Sequence, residues 1–147
     1  GLMTISLNLL ANSAYTKSSV APHSNDNGEY NLIIEGYDWG PAVSKIILSM
    51  EEQAIDVKAE NFNVTAKRSY ECVEMNPGEA IGSRKVIYSY VSDEKGNRLE
   101  QGNHVTLVLF VGPEEILGSP IKYIRANNRG SNKWINYELT ITDTTSK

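Results

Sequence analysis

At 147 residues with 40% apolar side chains, the chain is long enough to bury one sizeable core and hard to split into two. A formal charge of −4, with 14 Lys and Arg scattered among 18 Asp and Glu, excludes a general nucleic-acid binder. No apolar run approaches the roughly 20 residues of a membrane-spanning helix. The single cysteine, Cys72, excludes an internal disulfide and a multi-cysteine zinc site.

The composition points to strands. Thirteen Ile, ten Val and eight Thr are stiff at χ1 and suit a pleated surface, while fourteen Asn and eleven Gly supply turn chemistry. In chain order, Thr4–Leu9 alternates and reads as a short strand with Ile5, Leu7 and Leu9 on one face. The run Leu9–Ala14 also admits the tail of a signal peptide, without its basic region. Tyr15–Gly28, rich in Ser and Asn, reads as a linker or long loop. Residues 1–29 are therefore expected to form an N-terminal arm, which on a flexible linker can add to a sheet edge in its own chain or in a second copy.

From Tyr30 the pattern becomes regular. Tyr30–Gly36 predicts a strand, and Val43–Met50 another with Ile46, Leu48 and Met50 on one face; Ile47 blurs the opposite face. Ser49–Ala59 is the nearest approach to a helix, but it lacks a clean cap. Phe62–Arg68 alternates cleanly. Arg84–Ser92 and Asn103–Val111 flank the turn sequence Asp93–Asn97 and predict a hairpin, with Val105, Leu107, Leu109 and Val111 on one face. A short strand at Ile121–Ile124 is followed by Trp134–Thr142, with Ile135, Tyr137, Leu139 and Ile141 inward. Seven to eight strands with one apolar face each must bury that face on a second sheet, so an all-β, antiparallel two-sheet sandwich is expected over 30–143.

Chemistry-bearing patterns are sparse. No Gly-x-Ser-x-Gly elbow is present, and the carboxylate pairs Glu51-Glu52, Asp93-Glu94 and Glu114-Glu115 are adjacent residues, which on a strand point to opposite faces. A catalytic thiol at Cys72 would need a His partner, and only His23 and His104 exist. Asn25–Glu29 fails as a calcium loop, because the flanking ligand positions fall on His23 and Ile34. Neither a metal, nor a cofactor, nor a catalytic residue is expected. Trp134 has the outward parity of its strand, and Tyr88 and Tyr90 share a face of theirs; exposed aromatics on a sandwich can stack sugars, which makes a carbohydrate-binding module the alternative reading.

The most specific segment is Gly36-Tyr37-Asp38-Trp39-Gly40-Pro41, which leads through Ala42-Val43 into a Lys-containing apolar strand. Gly36 and Gly40 permit unusual backbone conformations, Pro41 fixes φ where the strand begins, Asp38 can bond turn amides, and Trp39 is large enough to plug one end of a sandwich. The segment resembles the opening of the immunoglobulin-like domain at the N-terminus of a group of secreted bacterial esterases. Phe62-Asn63-Val64, Arg84–Tyr90 with the Asp93–Gly96 turn, Gly102–Leu107 and Trp134–Tyr137 follow in the order of that family. The resemblance implies an immunoglobulin-like sandwich that is itself non-catalytic, is secreted or in the bacterial cell envelope, and precedes an α/β-hydrolase domain carrying a serine esterase site. It further implies that Gly36–Pro41 contributes to contact with that hydrolase domain or a neighbouring subunit. Residues 144–147 would then begin the linker to it.

Overall fold

The computed structural model describes residues 3–10, 18–25, 28–54, 57–71 and 73–143. Two antiparallel sheets face each other as an immunoglobulin-like sandwich. One has the order β1 (Met3–Leu10), β11 (Asn136–Asp143), β5 (Phe62–Ser69) and β6 (Ile81–Arg84). The other has the order β2 (Ser18–Asn25), β3 (Gly28–Tyr37), β4 (Gly40–Ala54), β8 (Gly102–Leu109) and β7 (Val86–Ser92). A separate hairpin joins β9 (Ile121–Ala126) to β10 (Arg129–Trp134), and the one α-helical turn among the described residues is α1 (Pro77–Ala80).

The core lies where the period-two pattern places it. Along β5 the residues alternate buried and exposed without exception, with Phe62, Val64, Ala66 and Arg68 inward. Leu139, Ile141 and Tyr137 of β11 lie beside them and face Val105, Leu107 and Leu109 of β8 together with Leu32 and Ile34 of β3 and Ile46 and Leu48 of β4. Each fully buried Leu or Ile here stabilises the fold by about 1.5–3 kcal/mol relative to exposure. The expected set Ile135, Tyr137, Leu139 and Ile141 is fully buried. In β1 the backbone register sets Ile5, Leu7 and Leu9 opposite Ile141, Leu139 and Tyr137 of the same chain.

A bulge explains how β4 buries both Val43 and Ile46. The register passes from Ile33↔Lys45 to Ile34↔Val43, so Ser44 is the extra residue. Its Oγ donates to Glu35 Oε1 at 2.6 Å. Ile47, which blurs the outer face in sequence, is fully buried on that face together with Thr106 and Ser92. The cover is the loop after β7: a Cβ on Gly96 would lie 3.4 Å from Ile47 Cδ1 and 3.7 Å from Ile33 Cδ1. Ser92 and Thr106 satisfy each other beneath it through a 2.7 Å hydroxyl pair.

Several expectations need correction. The stretch Tyr15–Gly28, read as linker or loop, contains β2, which pairs with β3 from Ser18↔Glu35 to Asn25↔Gly28. An edge strand is hydrogen-bonded on one side only, so it tolerates Pro22 and a polar composition that a central strand would not. Arg84–Ser92 is not one strand: β6 pairs with β5 in one sheet, and after Lys85 the chain crosses to the other sheet as β7. Trp134–Thr142 is likewise divided at Ile135, whose amide bonds Pro120 O at 3.0 Å. The hairpin β9–β10 turns at Asn127 and Asn128, both with positive φ (53° and 63°), the conformation of a type I′ turn. The stretch read as a weak helix continues β4 to Ala54 and ends in a 3-10 turn at Ala59–Asn61. Cys72 lies outside the described residues.

Candidate functional site

The segment Gly36–Pro41 forms the tip of the β3–β4 hairpin. Gly36 pairs with Pro41 and Tyr37 with Gly40, leaving Asp38 and Trp39 as a two-residue turn. Gly40 has φ +119°, a conformation open only to glycine at low cost. The rings of Tyr37 and Trp39 stack at 4.7 Å and 7°. Trp39 stays 45% exposed, so it does not plug the sandwich as its size allowed; it stands on the surface as a flat apolar plate.

The plug at this pole is built from charge instead. Arg68 and Arg84 are each 2% exposed. Arg84 Nη1 donates to the Tyr137 hydroxyl at 2.8 Å, while Nη2 donates to Val43 O at 2.8 Å and Phe110 O at 3.0 Å. The Tyr137 hydroxyl in turn donates to Leu117 O, in the 3-10 turn Ile116–Gly118. Arg68 serves three further carbonyls, Ser119 O at 2.8 Å, Glu79 O at 2.7 Å and Ile121 O at 2.8 Å. Planar guanidinium forks thus tie α1, β4, β9 and the 116–120 loop into one rigid end.

The electrostatics follow from burial. Desolvation pulls the Arg68 pKa below its ordinary value, opposed by Tyr137 and Glu79. Burial pushes the Tyr137 phenol up, opposed mainly by Arg84. Glu79 is held below the usual carboxylate range, first by its hydrogen bond from Lys122, a 2.8 Å ion pair.

The elements at this rigid end expose several large apolar side chains. Trp39 caps β3–β4, Phe110 follows β8, Ile116 sits in the 3-10 turn and Tyr123 in β9, all exposed. Because β3 and β8 both flank β4 antiparallel, their C-terminal ends lie at one pole. Gly40 adjoins Ile121 there, with 3.9 Å between a would-be Cβ and Ile121 Cδ1.

Of the aromatics considered for sugar stacking, Trp134 lies in a different sheet from Tyr88 and Tyr90. Trp134 closes β10 and packs partly buried against the core. Tyr88 and Tyr90 lie on β7 with centroids 5.8 Å apart and planes tilted by 40°. Arg98 lies over both rings, at 5.6 and 6.0 Å from their centroids. Among the described residues, no three His, Cys, Asp or Glu side chains gather as a metal site. No helix among them is long and apolar enough to cross a membrane.

The two arginines were the functional geometry that sequence reasoning missed. Arg68 shares the inward parity of Phe62, Val64 and Ala66, so the alternation of β5 carried the signal.

Comparison with known proteins agrees with this architecture. The sequence profile of the esterase Ig-like N-terminal domain matches residues 29–146. A solved structure described as a thermostable esterase superposes with a TM-score of 0.51 at 14% identity, over 72% of this chain and 27% of that one. At that identity the likeness concerns the fold, and the aligned part spans about a quarter of that esterase. No curated protein sequence matches significantly.

Proposed function

Because the chain belongs to the family of esterase Ig-like N-terminal domains, we propose that it acts as a non-catalytic accessory module whose apolar pole packs on an α/β-hydrolase domain. The observation that carries this reading is the half-exposed Trp39, stacked on Tyr37 beside a pole that two buried arginines make rigid. Aromatic plates on a preorganised surface are the usual anchors of protein interfaces, because little conformational freedom is lost on docking. Phe110, Ile116 and Tyr123 are further exposed apolar side chains on elements tied to this end.

The direction of β11 bears on which hydrolase domain is met. It starts at this pole and ends at Asp143, opposite Phe62 and Met3. At about 3.4 Å per residue, a catalytic domain joined beyond Asp143 would have to fold back by roughly 25 Å. A neighbouring subunit reaches the pole without that detour. The β1–β11 register would serve equally between two copies that exchange β1, and a light-scattering mass equal to one chain would refute exchange.

The test is to mix the chain with the separately expressed hydrolase domain of its parent protein and to measure association and esterase turnover. The expected result is binding that Trp39→Ala weakens at least tenfold, with altered turnover on binding. No association, together with equal activity of the fused protein and its deletion, would sink the proposal. A sugar-stacking reading has weaker support, since Arg98 occupies a face of both Tyr88 and Tyr90.

A further inference from the structure

A second feature lies away from the apolar pole. β7 is an edge strand, and along it runs an open groove of about 590 Å³ bordered by Val57, Tyr88, Ser89, Tyr90, Arg98 and Glu100. Arg98 belongs to the loop between β7 and β8. Its Nη1 donates to the Tyr88 hydroxyl, and its guanidinium lies over the rings of Tyr88 and Tyr90. The Tyr90 hydroxyl donates to Gly96 O at 2.7 Å and so anchors the loop that carries Arg98. Asp93 stiffens the same loop by accepting from the amides of Lys95 at 2.8 Å and Asn97 at 2.9 Å.

The guanidinium is thus positioned by the two tyrosines, and among the described residues it has no carboxylate partner. The ion pairs among the described residues are Lys45–Glu35 and Lys122–Glu79. Of its five N–H donors, the bond seen among the described residues is the one from Nη1 to the Tyr88 hydroxyl. Such a fork matches a carboxylate bidentately, and preorganisation lowers the entropy lost on binding. Ser89 also borders the groove, but it stands between Tyr88 and Tyr90 on the strand and its side chain turns to the opposite face of β7, where it is 8% exposed and pairs with core residue Leu107. Val57 contributes apolar surface, and Glu100 accepts from hydroxyls and repels a dianion about twice as strongly as a monoanion.

We infer that this groove binds a compact monocarboxylate, with the carboxylate forked on Arg98 and the body of the ligand lying along Tyr88 and Val57. Two sources share that chemistry: a free organic acid such as ester hydrolysis releases, and a uronic acid unit of a glycan. The inference is independent of the docking role, because the groove and the apolar pole share no residue.

The experiment is an amide and arginine side-chain NMR titration of the 147-residue chain with butyrate, benzoate and galacturonate. Their methyl esters, and sodium chloride at matched ionic strength, serve as controls. Saturable shifts at Arg98, Tyr88 and Glu100 are expected, with millimolar dissociation constants. Arg98→Gln and Arg98→Lys should each weaken binding at least tenfold, since Lys offers a point charge in place of a fork. Tyr88→Phe should weaken it a few-fold, and thermal melting reports whether each variant stays folded. Preference for galacturonate assigns the glycan source, and equal binding of all three acids assigns free acids. The inference is overturned if no acid gives saturable shifts, if the esters bind as well as the acids, or if folded Arg98 variants bind unchanged.

Discussion

Arg84 shows how one side chain can define an end of a sandwich. Its fork satisfies Val43 O and the Tyr137 hydroxyl, which are buried, and Phe110 O, which is partly so. Replacing it removes a costly buried charge but leaves two carbonyls and a hydroxyl short of a donor. Each unsatisfied group costs about 1–3 kcal/mol, only partly offset by the relief of desolvation. Arg84→Met should therefore lower stability by about 2 kcal/mol in denaturant unfolding. Tyr137 gives a pH signature. Burial raises its pKa above the ordinary 10.0, so the folded chain keeps the proton where the unfolded chain releases it. The stabilisation is complete below pH 10 and is lost as pH rises from there through the folded value. The wild type should lose melting temperature across this range more steeply than Tyr137→Phe. That variant should already be about 1–2 kcal/mol less stable at neutral pH, having lost its bonds to Arg84 and Leu117.

Among the elements, β4 and the loop after β7 do the most to shape the outer face. Ser44 bulges so that Val43 and Ile46 both reach the core, and the Gly96 loop then covers Ile47 and Ile33 on the other side. Gly96 has φ +88°, and an added Cβ would make ordinary contact with Ile47 Cδ1 at 3.4 Å. Gly96→Ala should cost about 1–2 kcal/mol from the left-handed backbone alone, seen as earlier unfolding and faster hydrogen exchange at Ser92 and Thr106. The elements legible in sequence were those with one buried face, such as β5 and β8, because a half-buried strand prints a period of two on its residues. β2 and β10 were not legible: each is polar, and each is specified by what it pairs with. The Asn127-Asn128 turn was the one local sign of β10, since Asn tolerates the positive φ of a type I′ turn.

For the whole molecule, the two poles differ in character. One carries Trp39, Phe110, Ile116 and Tyr123 on a scaffold of buried arginines; at the other, β11 ends at Asp143. If the apolar pole is a docking surface, Trp39→Ala and Phe110→Ser should leave the melting temperature within a few degrees of wild type while lowering association with the hydrolase domain. Loss of stability without loss of association would assign Trp39 a purely structural role. Of the candidate site, the Gly36–Pro41 segment was visible in sequence by its residue types, but its exposure was not. Whether a Trp at a hairpin tip turns inward depends on what else fills the pole, and here the arginines and the 116–120 loop fill it.

The sequence alone determined that this chain is an antiparallel sandwich, because alternation and turn chemistry are local and each strand carries its own record of which face is buried; the esterase-like signature rested on resemblance at Gly36–Pro41. Only the tertiary structure decided the buried arginines, the crossing of the chain between sheets at Lys85, the exposed stance of Trp39 and the loop that presents Arg98. The carbonyls that hold Arg84 lie 41 and 26 residues away, and a hydrogen bond formed across that distance leaves no mark on either residue until the chain has folded.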